Sequence, residues 1–264
     1  DETHGQRGSC EIATCILMYT NSIASNLSRV QEITYYSDTC GGQNRNQYVA
    51  TALLYAVRNN SKLSSINHKF LESGHSEMEV DSIHSTIEAA KKRTKVYVPS
   101  QWHTVITMAR KQSPYITIPL KFNDMLNLKT VCSTCCPNMK KTTDGQRVNW
   151  LKVKWIQVRA DCPNNIFLNY SFNEDTFMEI NTTTSAIKTR RTTSIVWPES
   201  LGPCYSDKLP ISAAKKQDLL SLCKSGIIPE EFHHYYENLN TSKAVKDKLP
   251  TPDALEEDVD TDSD

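Results

Sequence analysis

The chain has 264 residues, 38% of them hydrophobic, and balances 30 Lys and Arg against 30 Asp and Glu. That length supports one large domain or two small ones with a substantial core. Eight glycines leave little room for a Gly-rich phosphate cradle, neither nucleotide-binding glycine motif occurs, and no apolar run approaches the ~20 residues of a membrane span. Residues 253–264 hold seven acids and no base, so residues 1–252 carry 30 bases against 23 acids, a body of +7. Such a body tolerates a polyanionic partner, and a solvated acidic tail can compete for the same surface. The chain opens Asp1-Glu2 with no Met and no signal-like segment, and reads as a fragment. Nine cysteines, an odd count, favour reduced thiols in an intracellular compartment over a disulfide framework.

In chain order, residues 8–23 place Ile12, Cys15, Ile16, Tyr19 and Ile23 at helical spacing, the mark of a buried amphipathic helix. Residues 31–37 (QEITYYS) read as a strand that ends at Asp38, and the Gly41-Gly42 pair then marks a sharp turn. A helix over about 44–58 carries Val49, Ala52, Leu53, Ala56 and Val57 on one face, and 66–71 reads as a second strand. Gly74 breaks the chain, and Ser76 with Glu79 forms a capping-box pattern opening a helix through Lys92. This alternation predicts an α/β layer with a largely parallel sheet over residues 1–126. Residues 96–99 and 115–120 add two further extended runs, separated by a helix over 101–111 capped by Ser100.

Residues 127–208 change character. The runs 150–158, 166–172 and 176–180 alternate apolar and polar residues, which predicts a small, mostly antiparallel β region, as an insertion or subdomain. Residues 181–200 read as a Thr-rich loop. A helical hairpin, broken at Gly226 and Pro229, spans 209–240, and 241–264 read as a disordered acidic tail.

One constellation stands out. On the helix through 77–92, Asp81, His84 and Glu88 are spaced i, i+3, i+7 and share a face, with Glu77 one turn before them. Asp38 lies at a strand's C-terminal end, where open α/β sheets place ligands. Convergent carboxylates there hold Mg²⁺ or Mn²⁺, and a metal pair activates water for phosphodiester cleavage. Solvated helix acids and a turn-capping Asp38 give the same spacing.

The segments SDTCGGQNRNQY (37–48), HKFLESGHSEMEVDSIHSTIE (68–88) and YVPSQWHTVITMAR (97–110) resemble an uncharacterised, multicopy domain family of animal genomes. That family is interpreted as transposase-derived, with a ribonuclease-H-like core. The resemblance covers about 1–126, with a partial match over 209–239. It implies a partial ribonuclease-H-like core whose first strands and first metal-binding acid are missing. Asp38 then corresponds to the second metal-binding acid and Asp81 to the third, with His75, His84 and Glu88 as alternates. It implies Mg- or Mn-dependent DNA cleavage or strand transfer, inactive in this fragment, in a nuclear protein. The alternative is a domesticated, non-catalytic module that binds nucleic acid or protein, and a homo-oligomer stays open.

Three weaker patterns remain. Cys132, Cys135 and Cys136 would need Cys162 and a histidine to complete a zinc site, yet no His lies between 104 and 232. Cys40, beside His75 or His84, is a candidate nucleophile without an orienting third group. For nucleic acid, Lys91-Lys92-Arg93, Lys140-Lys141, Lys152 with Lys154, and Lys188 with Arg190 and Arg191 supply charge, and Trp150 and Trp155 flank one cluster.

Overall fold

In the computed structural model, which describes residues 1–29, 31–72, 78–174, 176–184 and 195–246, the first element is helix α1 (Ser9–Asn26). Its buried ridge is Cys10, Ala13, Leu17, Thr20 and Ala24, whereas Cys15 and Tyr19 face solvent. The stripe expected from bulk apolarity is therefore displaced round the helix. The reason is close packing: the small residues lie against the neighbouring helix. Thr14 and Thr20 satisfy their hydroxyls on the carbonyls of Cys10 (2.7 Å) and Ile16 (2.6 Å).

Strand β1 (Gln31–Ser37) follows, then α2 (Gln47–Asn59) and β2 (Leu63–Phe70). Asn46 caps α2, its side-chain oxygen accepting from the N–H groups of Tyr48 (3.0 Å) and Val49 (3.1 Å). Every residue from Val49 to Val57 is buried, because α2 lies between the sheet and its helical neighbours. As a crossover it lets β1 and β2 run parallel, with Ile33 opposite Ile66 and Tyr35 opposite His68. Helices α3 (Glu79–Lys92) and α4 (Gln101–Met108) pack against each other, and α5 (Leu128–Cys135) packs on α2 and α1.

Strands β3 (Trp155–Arg159), β4 (Asn165–Asn169) and β5 (Met178–Asn181) complete a five-stranded sheet of order β1-β2-β3-β4-β5. The parallel pair expected within residues 1–126 and the antiparallel strands expected within 127–208 belong to one mixed sheet. One pair is parallel and the other three are antiparallel. Only α2 supplies a crossover, and the short connections after β3 leave antiparallel neighbours as the available pairing. The β region of 127–208 continues the same sheet as β2, and residues 1–208 form one compact unit. The runs 96–99 and 115–120 form no strand, and Ile116 and Ile118 are 92% and 71% exposed. Residues 150–152 make a tight helical turn before β3 begins.

One sheet face is apolar. Ile66, Phe70, Ile156, Val158, Ile166, Leu168 and Ile180 join Leu53, Leu54 and the α5 residues Val131 and Cys132 in one core. The other face is polar and aromatic. The Asn67 side-chain oxygen accepts from Trp155 Nε1 (2.8 Å) and Gln157 Nε2 (2.9 Å), Lys69 lies over Trp155, and Arg159 lies over Phe167.

A second compact unit, residues 209–264, contains β6 (Ile211–Ser212), α6 (Ala213–Lys224), α7 (His233–Glu237) and β7 (Thr241–Ser242). Ser212 caps α6, and Gly226, at φ +76°, takes the left-handed turn that ends it. Residues 241 and 242 pair with β6, so structure extends past the expected end of order. Residues 247–264 of the acidic tail lie outside the described residues, as do residues 185–194 of the Thr-rich loop, with Lys188, Arg190 and Arg191. No helix among the described residues is long and apolar enough to cross a membrane.

Candidate functional site

Parallel strands β1 and β2 end side by side, and their C-terminal ends carry the polar groups of interest. Asp38 follows β1 directly. One of its carboxylate oxygens accepts from Asn44 Nδ2 (2.5 Å) and from the Cys40 N–H (3.2 Å). The turn closes further through the Cys40 carbonyl, which accepts N–H groups from Gln43, Asn44 and Arg45. Asn46 donates to the carbonyls of Gly41 and Gln43 while it caps α2. Asp38 thus fixes the loop that links β1 to α2. Gly41 packs closely on Leu151: a Cβ there would stand 2.9 Å from Leu151 Cδ2, so the leucine side chain would have to shift.

Beneath this loop, Ser37 Oγ lies 2.8 Å from His68 Nε2 and 3.0 Å from the Asp38 carbonyl. The carbonyl can only accept, so the Ser37 proton goes to it and His68 Nε2–H donates to Ser37. His68 Nδ1 then carries a buried lone pair with no hydrogen-bond partner. Burial holds the ring's pKa down to about 4, with Asp38 acting weakly in the opposite direction. This pair is a structural donor and acceptor; His68 does not act as a base toward Ser37. His68 packs against Phe70 at 4.4 Å between ring centres and meets Tyr35 edge-on.

Beside the loop opens a cleft of about 430 Å³. Its lining includes the apolar Phe70, Leu151 and Tyr170 and the charged Arg45, Lys152, Lys154 and Glu72. Lys154 Nζ pairs with a Glu72 carboxylate oxygen at 2.6 Å, on the surface. Three cations from two distant stretches of chain therefore face one opening.

The other expected site residues lie apart from this cleft or outside the described residues. Asp81 is in the first turn of α3, where it accepts from the Met78 N–H at 2.8 Å and caps its own helix. His84 and Glu88 are exposed on α3, and Glu88 faces Lys92 at 3.7 Å. His75, Glu77, Gly74 and Ser76 fall outside the described residues. Among the described residues, no three His, Cys, Asp or Glu side chains are placed to hold a metal ion. Asp38 is the one expected acid that the described residues place at the strand ends, and His75 lies outside them.

The cysteines of the CxxC pattern lie in the core rather than in a loop. Cys132, Cys135 and Cys136 lie at i, i+3, i+4 on and just beyond α5 and are buried in the core. Burial pushes the Cys136 thiol up to about 12 and raises Cys132, so both are neutral apolar fillers. Trp150 is a core-packed residue whose Nε1 donates to the Met139 carbonyl (3.0 Å), while Trp155 lies on the open sheet face. Ser37, Arg45 and His68 were not singled out from the sequence. The alternation Ile66, His68, Phe70 marks His68 as inward-facing.

The sequence model of a family described as Domain of unknown function (DUF7869) matches residues 5–160, and the chain belongs to that family. The matched segment runs from α1 through β3 and includes the Asp38 loop. No curated protein and no solved structure matches the chain.

Proposed function

We propose that the chain is a transposase-derived module that binds nucleic acid, taking a phosphate backbone at the cleft beside the C-terminal ends of β1 and β2. The observation that carries this reading is the gathering of Arg45, Lys152 and Lys154 at one opening. Phosphate contacts of this kind give salt-dependent, sequence-tolerant affinity. The +7 body supplies attraction at longer range, and Lys69 and Arg159 continue the positive charge across the open sheet face. The resemblance to a ribonuclease-H-like core supports the same location. In that reading, parallel β1 and β2 joined through α2 belong to such a core, and DNA is the partner.

The test is fluorescence anisotropy with a labelled DNA duplex. Lys152→Ala with Lys154→Ala weakens binding, whereas Glu72→Gln, which removes the negative charge paired with Lys154, strengthens it. Equal affinity in all three chains would overturn the assignment.

A second reading, Mg- or Mn-dependent phosphodiester cleavage, is favoured by one observation: Asp38 stands at the end of a parallel strand pair. It requires Asp81 and Glu88 on α3 to reach Asp38, with Asp81 released from the Met78 N–H. No cleavage step is assigned to the arrangement seen here. Metal-dependent strand cleavage that disappears in Asp38→Asn would establish this reading, and its absence in the unaltered chain would remove it.

A further inference from the structure

Helix α3 is amphipathic, yet none of its 14 residues is buried. Its neighbour α4 buries only Val105. Between them runs an open groove of about 640 Å³ lined by Thr86, Ala89, Ala90, Arg93, Val105 and Met108, and Met108 is 73% exposed. The open groove and the unburied apolar face of α3 leave room for a partner helix.

The order of residues on α3 identifies the occupant. Glu79, Ile83, Thr86, Ala90 and Arg93 follow one another at intervals of four and three, which aligns them along a single seam. The seam has an acid at one end, a base at the other, and apolar or small residues between. Ile87 widens it at the centre. A strip with this order is complementary to itself when reversed. We propose that α3 pairs antiparallel with α3 of a second copy of this chain, about a two-fold axis near Thr86.

That axis sets Glu79 of each copy against Arg93 of the other. It sets Ile83 against Ala90, and brings the two Ile87 side chains together at the centre. A two-fold contact uses the same patch on both partners, so each residue's neighbour follows from its position in the seam. Thr86, Ala89 and Ala90 are small enough to let the helices approach closely, and the α3–α4 groove receives the partner's side chains. Glu79 and Arg93 are exposed in the single chain, so changing their charge leaves the fold's core untouched.

Analytical ultracentrifugation of the full chain at micromolar concentration, without nucleic acid, tests the pairing. The unaltered chain sediments with the mass of two chains. Glu79→Arg alone and Arg93→Glu alone each weaken association at least tenfold, as does Met108→Glu at the groove. The decisive arms are the rescues. An equal mixture of Glu79→Arg and Arg93→Glu chains regains the mass of two, as does the chain carrying both changes. A single-chain mass for the unaltered protein overturns the proposal, including the case in which α3 instead serves a polyanion. So does a dimer that ignores all three substitutions, or a rescue that fails while each variant keeps its native circular dichroism.

Discussion

Acidification should destabilise this protein through His68, by an amount the structure sets. The ring is 1% exposed, lies between Tyr35 and Phe70, and has Ser37 and Asp38 as its polar surroundings. Burial lowers its pKa from 6.5 to about 4. In the unfolded chain the imidazole titrates near its ordinary value and takes up a proton as pH falls below 6.5. The folded state refuses that proton until about 4. Stability is therefore fully present above 6.5, is lost progressively as pH falls towards 4, and changes no further through this group below that. At ~1.4 kcal/mol per pH unit, the gap is worth about 3 kcal/mol. Urea unfolding followed by tryptophan fluorescence, from neutral pH down to about 4, measures the loss. His68→Phe keeps an aromatic ring in the core but cannot titrate, so its stability curve should be flatter by about that amount. Carboxylates and the other histidines contribute equally to both chains and cancel. If the two curves fall in parallel, the assignment of a buried neutral His68 is wrong.

Leu53 is fully buried in the main core, so Leu53→Ala should cost about 3–5 kcal/mol in denaturant unfolding, whereas Val196→Ala, 81% exposed, should change stability by less than about 0.5 kcal/mol. With an aromatic disulfide reagent at neutral pH, exposed Cys15 should react first, and buried Cys10, Cys132, Cys135, Cys136 and Cys223 should react only on unfolding. Asp38→Asn keeps one side-chain oxygen to accept from Asn44 and the Cys40 N–H. Its melting temperature should therefore stay close to that of the unaltered chain, while Asp38→Leu, which leaves those donors without an acceptor, should melt lower by several degrees.

Much of the fold is legible in the residues because local pattern and final packing agree. β1 coincides with its β-branched and aromatic run, and α2 starts at a capping Asn and carries a continuous apolar stretch. The failures have physical causes. On α1 the seam is chosen by small residues that permit close approach, which a count of bulky apolar side chains does not reveal. The pattern of Leu128, Val131, Cys132 and Cys135 is that of a helix, but attention to cysteine spacing as a metal motif hides it. That the two β regions share one sheet depends on which distant strands meet, and nothing local to 155–159 announces pairing with β2. The cleft is harder still, because Arg45 and Lys152 become neighbours only after the turn at Gly41 packs on Leu151. Asp38, as an acid at a strand end, and the Lys152–Lys154 pair are visible beforehand, but not their meeting with Arg45.

The most direct test of nucleic-acid binding at that cleft is the salt dependence of DNA affinity, compared between the unaltered chain and Lys152→Ala with Lys154→Ala. Removing one lysine–phosphate pairing lowers the slope of log affinity against log salt by about 1. A slope smaller by about 2, with weaker binding on every sequence tried, is the predicted result. Identical slopes and affinities, or no binding even at low salt, would contradict it.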